Sequence, residues 1–179
     1  DIRLLLDQLA SLHARFWDSP RFSGDLVWVE THIEGKVADL MNRVAPSYIA
    51  HEVENENFKR EMVRRLRSTP DRLLAGVQAL QRHQSTLPQT LLHGDTHFGN
   101  TYRLPNGVAG LLDWQLMVRG YAMHDVSYII ATGLSIEDRR GSERDLLAYY
   151  LDRLSQEDVA NAPSMDTVWN ESRHMMVWA

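Results

Sequence analysis

The sequence predicts an α+β fold, mostly helical, with one small β-hairpin, and three observations carry that reading. Apolar residues recur at three-and-four spacing over most of the chain. One Asn-Gly pair, Asn106-Gly107, stands between two short apolar runs, the strongest short-range hairpin signal. The 179 residues are 44% apolar and 24% charged, which suits one domain with a real core and excludes a disordered or fibrous chain.

Each element follows from local pattern. Ile2, Leu5, Leu6, Leu9, Leu12, His13 and Phe16 form one stripe of a helix that Asp18-Ser19-Pro20 stops. Residues 21–34 are irregular, and 36–44 read as a short helix ended by Pro46. Residues 48–67 set Ile49, Val53, Phe58, Met62, Val63 and Leu66 among many charges, predicting one long surface helix with a wet face. Pro70 opens the next helix, striped by Leu73, Leu74, Val77 and Leu80. After Pro88 the texture changes to the apolar run Thr90-Leu91-Leu92, a Gly-containing loop, and the hairpin. Helical period returns over 124–133, 137–154 and 165–178. Tyr149-Tyr150 and the group Trp169, Met175, Met176 and Trp178 fall on apolar stripes. They read as core, or as surface for segments outside the sequence.

Composition narrows function. Nineteen Lys plus Arg against 24 Asp plus Glu gives a net charge of -5, so a phosphate backbone meets no overall attraction and nucleic acid is not expected as a partner. No apolar stretch reaches the roughly 18 residues of a membrane span, and the first residues lack a secretory signal pattern, so no membrane role is expected. Zero Cys fits a reducing compartment, and the cytoplasm is the expected location.

The chemistry concentrates in His93-Gly94-Asp95-Thr96-His97-Phe98-Gly99-Asn100 and the strand ending in Asp113-Trp114-Gln115. A two-residue Asn106-Gly107 loop places Asn100 directly opposite Asp113. An amide oxygen and a carboxylate are then close enough to share a hard cation such as Mg²⁺. Asp95, on the loop feeding the hairpin, adds a carboxylate able to take a proton from a hydroxyl nucleophile. Base, metal amide and metal carboxylate are the parts of phosphoryl transfer. Each has a blander reading as well. Asp113 can be a solvated turn residue, Trp114 plain packing, and Asp125 a first-turn acid on a helix dipole. His93, Asp95 and His97 alternate as zinc ligands would on one strand face, although His93 bonded to backbone and His97 at the surface explain them equally well.

Residues 91–115, LLHGDTHFGNTYRLPNGVAGLLDWQ, resemble the catalytic loop and metal-binding strand of the aminoglycoside phosphotransferase and choline kinase-like family, distant relatives of the protein kinases. LDQLASLHARFW resembles the helix after the hinge in such enzymes, and GYAMHDVSYII the helix after their metal-binding segment. The DWQ and HDVSY strings are similar to the ecdysteroid-kinase-like branch. The resemblance implies a protein-kinase-like C-terminal lobe over residues 1–179 as a single domain. It implies an ATP- and Mg²⁺-dependent enzyme with Asp95 as catalytic base, Asn100 and Asp113 as metal and nucleotide ligands, His93 holding the loop, and Asp125 supporting it. The acceptor would be a hydroxyl of a small molecule.

The same resemblance implies an N-terminal lobe with a Gly-rich strand turn and a strand lysine gripping ATP. Neither feature is present. The only lysines are Lys36 and Lys59, and neither context reads as a central strand. The expectation is therefore the C-terminal lobe of a longer enzyme, inactive by itself. A non-catalytic, pseudokinase-like module binding a metabolite or partner is the alternative, and a zinc-dependent hydrolase using His93, Asp95 and His97 the third. Acceptors from aminoglycosides and choline to macrolides and steroid alcohols stay open. Glu52, Glu54, Glu56 and Glu61 would attract an amine if they lined the acceptor site.

Overall fold

A computed structural model describes residues 2–178 and shows eight α-helices and four three-residue strands in that stretch. The core is helical. α1 (Ile2–Phe16) packs along α7 (Ile136–Gln156) and against α6 (Met123–Gly133), while α8 (Met165–Met175) closes on α6 and α7. Leu6, Leu9, Met123, Ile129, Ile130, Leu147, Leu154 and Val168 are buried completely in one cluster. Each is the inward member of a three-and-four stripe, so the periodicity of the sequence is also the map of the core. Tyr150 and Met175 are buried, as core; Tyr149 is half-buried and donates to Asp7 Oδ1 at 2.7 Å. No helix among the described residues is long and apolar enough to cross a membrane.

Between α1 and α6 the chain builds the excursion that matters for function. α2 (Lys36–Asp39), α3 (Ala45–Asn55), α4 (Asn57–Arg65) and α5 (Pro70–Gln84) form an outlying helical wall. Pro46 does not end a helix there. It sits in the first turn of α3, where a missing N–H costs little, and the π turn Leu40–Val44 joins α2 to α3. The single long helix expected over 48–67 is two, because Glu56 is extended at φ -105°, ψ 114°. Arg60 donates to the carbonyl of Glu54 at that break, capping the end of α3. Thr69 caps α5 by accepting from the Arg72 N–H. α8 stops at Met175, short of the expected residue 178.

The expected hairpin is present as β2 (Thr101–Arg103) and β3 (Ala109–Leu111), but a second antiparallel pair accompanies it. β1 (Thr90–Leu92) pairs with β4 (Val118–Gly120). The β4 partner is three residues with Arg119 at its centre, too short and too mixed to show a period of two. The two ladders bracket the loop 93–100.

The hairpin register corrects the sequence reading by one residue. Its loop holds three residues, Pro105, Asn106 and Gly107, closed by Leu104 N–H to Val108 O at 2.8 Å and Gly107 N–H to Leu104 O at 2.9 Å. Pro105 presets the first turn position, and Gly107 takes the left-handed φ of 88° that a three-residue loop requires. Thr101 therefore faces Leu111. Leu112, not Asp113, lies across from Asn100 and donates its N–H to the Asn100 carbonyl at 2.7 Å.

Candidate active site

β1 delivers the loop 93–100, and a carboxylate from beneath holds it. Asp125, in the first turn of α6 and fully buried, accepts the N–H of His93 at 2.7 Å on Oδ2 and the N–H of Gly94 at 2.9 Å on Oδ1. Its own carbonyl accepts the Thr96 hydroxyl at 2.8 Å. Burial pushes the Asp125 carboxyl up. The His13 hydrogen bond, the charges of His13 and His124 and the Gly94 N–H outweigh it and hold the group below the usual carboxylate range. The helix-dipole explanation is thus incomplete, because both oxygens are committed to the loop.

His13 extends this network. Its Nε2 lies 3.4 Å from Asp125 Oδ2 and its Nδ1 2.8 Å from the Tyr150 hydroxyl, all three groups buried. Helices α1 and α7 are thereby tied to the loop through one carboxylate. The sequence reading counted His13 and Tyr150 as members of apolar stripes only. The available signal was a histidine on the inward face of an otherwise aliphatic helix, where a buried polar ring needs a partner.

His93 is buried and both ring nitrogens are used. Nδ1 accepts the Asp95 N–H at 3.2 Å, and Nε2 donates to the Leu112 carbonyl at 2.6 Å, so the tautomer protonated on Nε2 satisfies both. The ring thus joins the loop to the end of β3, beside the Trp114 ring at 4.8 Å. His97 Nδ1 accepts the Gly99 N–H at 3.0 Å. With three of these nitrogens bound to backbone, and the loop not a strand, His93, Asp95 and His97 do not assemble a zinc site. Among the described residues the one cluster with metal-ligand spacing lies elsewhere.

Gly94 takes φ +85°, and a Cβ there would come 2.1 Å from the Leu116 carbonyl oxygen. Backbone blocks backbone, so no side chain can swing away. Gly94→Ala is expected to cost about 3 kcal/mol or more, read as a fall in the urea midpoint. Gly107→Ala, with open space around it, should cost far less.

Asp95 projects from the clamped loop with a quarter of its side chain exposed. The Asn100 amide nitrogen donates to Asp95 Oδ2 and to the Asp95 carbonyl, both at 3.0 Å. With the nitrogen committed, the amide oxygen is the Asn100 atom left for a cation. Asp113 is exposed and left-handed, at φ 58°, ψ 70°, a conformation that costs a non-Gly residue about 1–2 kcal/mol and that turns the chain out of the ladder. Its side chain accepts a 3.4 Å contact from Gln115 Nε2. The donor set remains all hard oxygen, as Mg²⁺ requires, so these residues fit that ion.

Histidines also line the underside of the loop. His124 Nε2 lies 3.4 Å from the Gly94 carbonyl, and the His124 ring packs at a tilt on His32 at 4.3 Å and edge-on to Trp178 at 5.0 Å. Burial lowers both histidines, His32 to about 3. The unfolded chain takes up protons near pH 6.5 that the folded one refuses, so stability should be full above that pH and fall as the pH drops toward 3. The expected result is a Tm several degrees lower at pH 5 than at pH 7.5, with a smaller drop in His124→Gln.

Neither lysine reaches this loop as a phosphate grip. Lys36 opens α2, and Lys59 on α4 pairs with Glu52. Glu61 is paired with Arg64 and Arg65, so two of the four acids considered for an amine are already neutralised locally. A cavity of about 350 Å³ opens between α3, α5 and the end of the chain, lined by Ile49, Val53, Leu74, Val77, Tyr128 and Trp178 among others. Tyr128 of α6 lines it, and burial and then the charge of Asp95 raise its phenol.

A helical frame that holds a carboxylate loop rigidly above a hairpin ending in a second carboxylate is an arrangement suited to phosphoryl transfer. Residues 2–162 match the model of the phosphotransferase enzyme family, and the chain belongs to that family, the aminoglycoside phosphotransferase and choline kinase-like group. Comparisons with curated proteins and with solved structures gave no match.

Proposed function

We propose that this chain carries the catalytic face of an ATP- and Mg²⁺-dependent kinase acting on a hydroxyl of a small molecule. The observation that supports it most is the Asp95 carboxylate, oriented by Asn100 on a loop that Asp125 fixes at both backbone N–H groups. Asp95 orients the acceptor hydroxyl and takes its proton as the oxygen bonds to the γ-phosphorus and the bond to the ADP oxygen breaks. Asn100 and Asp113 would hold Mg²⁺, which supplies charge neutralisation on the phosphates when bound. Positioning and electrostatics account for most of the rate, because a loose phosphoryl transition state needs little covalent help.

Within these 179 residues neither Lys36 nor Lys59 serves as the phosphate grip, since both lie in the outlying wall. The acceptor has an apolar body. The cavity beside Tyr128 is lined by aliphatic and aromatic side chains, with Asp71 the one charged residue among them, which suits a hydrophobic alcohol and not a polycation. Mass spectrometry of a panel of hydroxyl compounds, incubated with Mg²⁺, ATP and the chain in its native full-length context, tests both points. A phosphoryl increment on hydrophobic alcohols supports the reading, and an increment confined to polyamine sugars refutes the acceptor assignment. Nucleotide binding without transfer to any compound would favour the pseudokinase-like module.

A further inference from the structure

Where α5 meets α8, three side chains with no part in the phosphoryl site converge. His83 lies near the C-terminal end of α5, and Glu171 and His174 lie one turn apart on α8. His83 Nε2 is 2.8 Å from Glu171 Oε1, and His174 Nδ1 is 3.4 Å from the same oxygen. One donor atom from each of the three falls within 4.8 Å of the others. We propose that His83, Glu171 and His174 form a second metal site, for a borderline divalent transition ion such as Zn²⁺, that ties α5 to α8.

Three features distinguish the cluster from a surface ion pair. Two imidazole nitrogens and one carboxylate oxygen are a zinc donor set, with too few hard oxygens for Mg²⁺ or Ca²⁺. With metal bonds of about 2.0–2.1 Å, tetrahedral ligand atoms sit about 3.3 Å apart. The two edges to Glu171, at 2.8 and 3.4 Å, need adjustments of half an ångström or less, while the two imidazole nitrogens, within 4.8 Å of each other, close on an ion by turning their half-exposed rings. Lastly, the Glu171 side chain is 8% exposed and its Oε2 is buried with no hydrogen-bond partner. A carboxylate in that state is costly, and a dication held between the two imidazoles and the carboxylate offsets the cost better than the imidazoles alone.

Access and leverage follow from position. The rings of His83 and His174 are about half exposed and meet edge-on at 5.8 Å, bordering an open hollow of about 390 Å³ with Gly76, Ala79, Leu80 and Val177. A water or an incoming donor can take the fourth position from that side. The two helices already touch through Gln84 and Met175, and Gly76 lies beside Val177. A metal bridge would lock Leu74 and Val77 of α5 against Val177 and Trp178, which line the acceptor cavity. This site stands independently of the phosphotransferase reading.

The test is a Zn²⁺ titration of the full chain against a chromophoric chelator at pH 7.5 with Mg²⁺ in excess, repeated on His83→Ala, His174→Ala and, as a control, the exposed His51→Ala. One equivalent of Zn²⁺ is expected in the wild type and in His51→Ala. Affinity should be weaker by about 100-fold or more in the other two. Co²⁺ in place of Zn²⁺ should give the strong visible absorption of tetrahedral coordination, lost in His174→Ala. Because both ligand histidines are at the surface, circular dichroism of the variants should match the wild type. No stoichiometric Zn²⁺ binding, or equal binding in the double variant His83→Ala/His174→Ala, overturns the proposal.

Discussion

Asp95→Asn should lower turnover by about 10²–10⁴ while leaving Mg-nucleotide affinity close to normal. The substitution is nearly isosteric and keeps an oxygen for the Asn100 amide, so the loop geometry survives. What disappears is the group that accepts the hydroxyl proton. On the proposed reading binding is carried by other atoms, those of Asn100 and Asp113, so the loss should fall in kcat and not in nucleotide Kd. Steady-state kinetics together with nucleotide titration separate the two. Asp113→Ala should do the reverse and remove Mg-nucleotide binding first. Equal turnover in Asp95→Asn would take that residue out of the mechanism.

Asp125→Asn should destabilise the fold by about 3–5 kcal/mol, although it removes only a charge. Both Asp125 oxygens accept backbone N–H groups, from His93 and Gly94. An amide must therefore turn its NH₂ toward one of those donors, leaving two donors face to face in a buried place. The buried contact with His13, which extends the network to Tyr150, loses its negative partner as well. At about 2–4 °C per kcal/mol for a chain of this size, the Tm should fall by about 6–20 °C. Far-UV circular dichroism on heating measures it. A change of less than about 1 kcal/mol would show that the loop is held by its own turns instead. Activity at a temperature where the variant is folded should fall too, because the same clamp fixes the loop bearing Asp95.

Much of this was legible in the sequence, and the misses have physical causes. The helical stripes gave the core of α1, α6, α7 and α8, because burial in a helical layer imposes a period that residues display one by one. The loop 93–100 stood out because glycines, histidines and acids together are poor material for any regular element. The hairpin was found, but its register was wrong by one residue. Asn106-Gly107 signals a turn without saying whether Pro105 belongs to the strand or to the loop, and pairing Asn100 with Asp113 depended on that choice. β4 escaped because three residues cannot display alternation. The network of His13, Tyr150 and Asp125 is assembled from positions 112 and 137 residues away from His13, a separation that no local pattern encodes. The break at Glu56 and the π turn before Pro46 are settled by how the outer wall caps and packs, not by propensity alone.

Phosphorus NMR of Mg·ATP mixed with the native full-length chain and a hydrophobic alcohol tests the central claim most directly. A phosphomonoester resonance growing in step with ADP, and absent with Asp95→Asn, is the predicted result. ATP that stays unchanged, or that yields only inorganic phosphate at the same rate with and without Asp95, would contradict it.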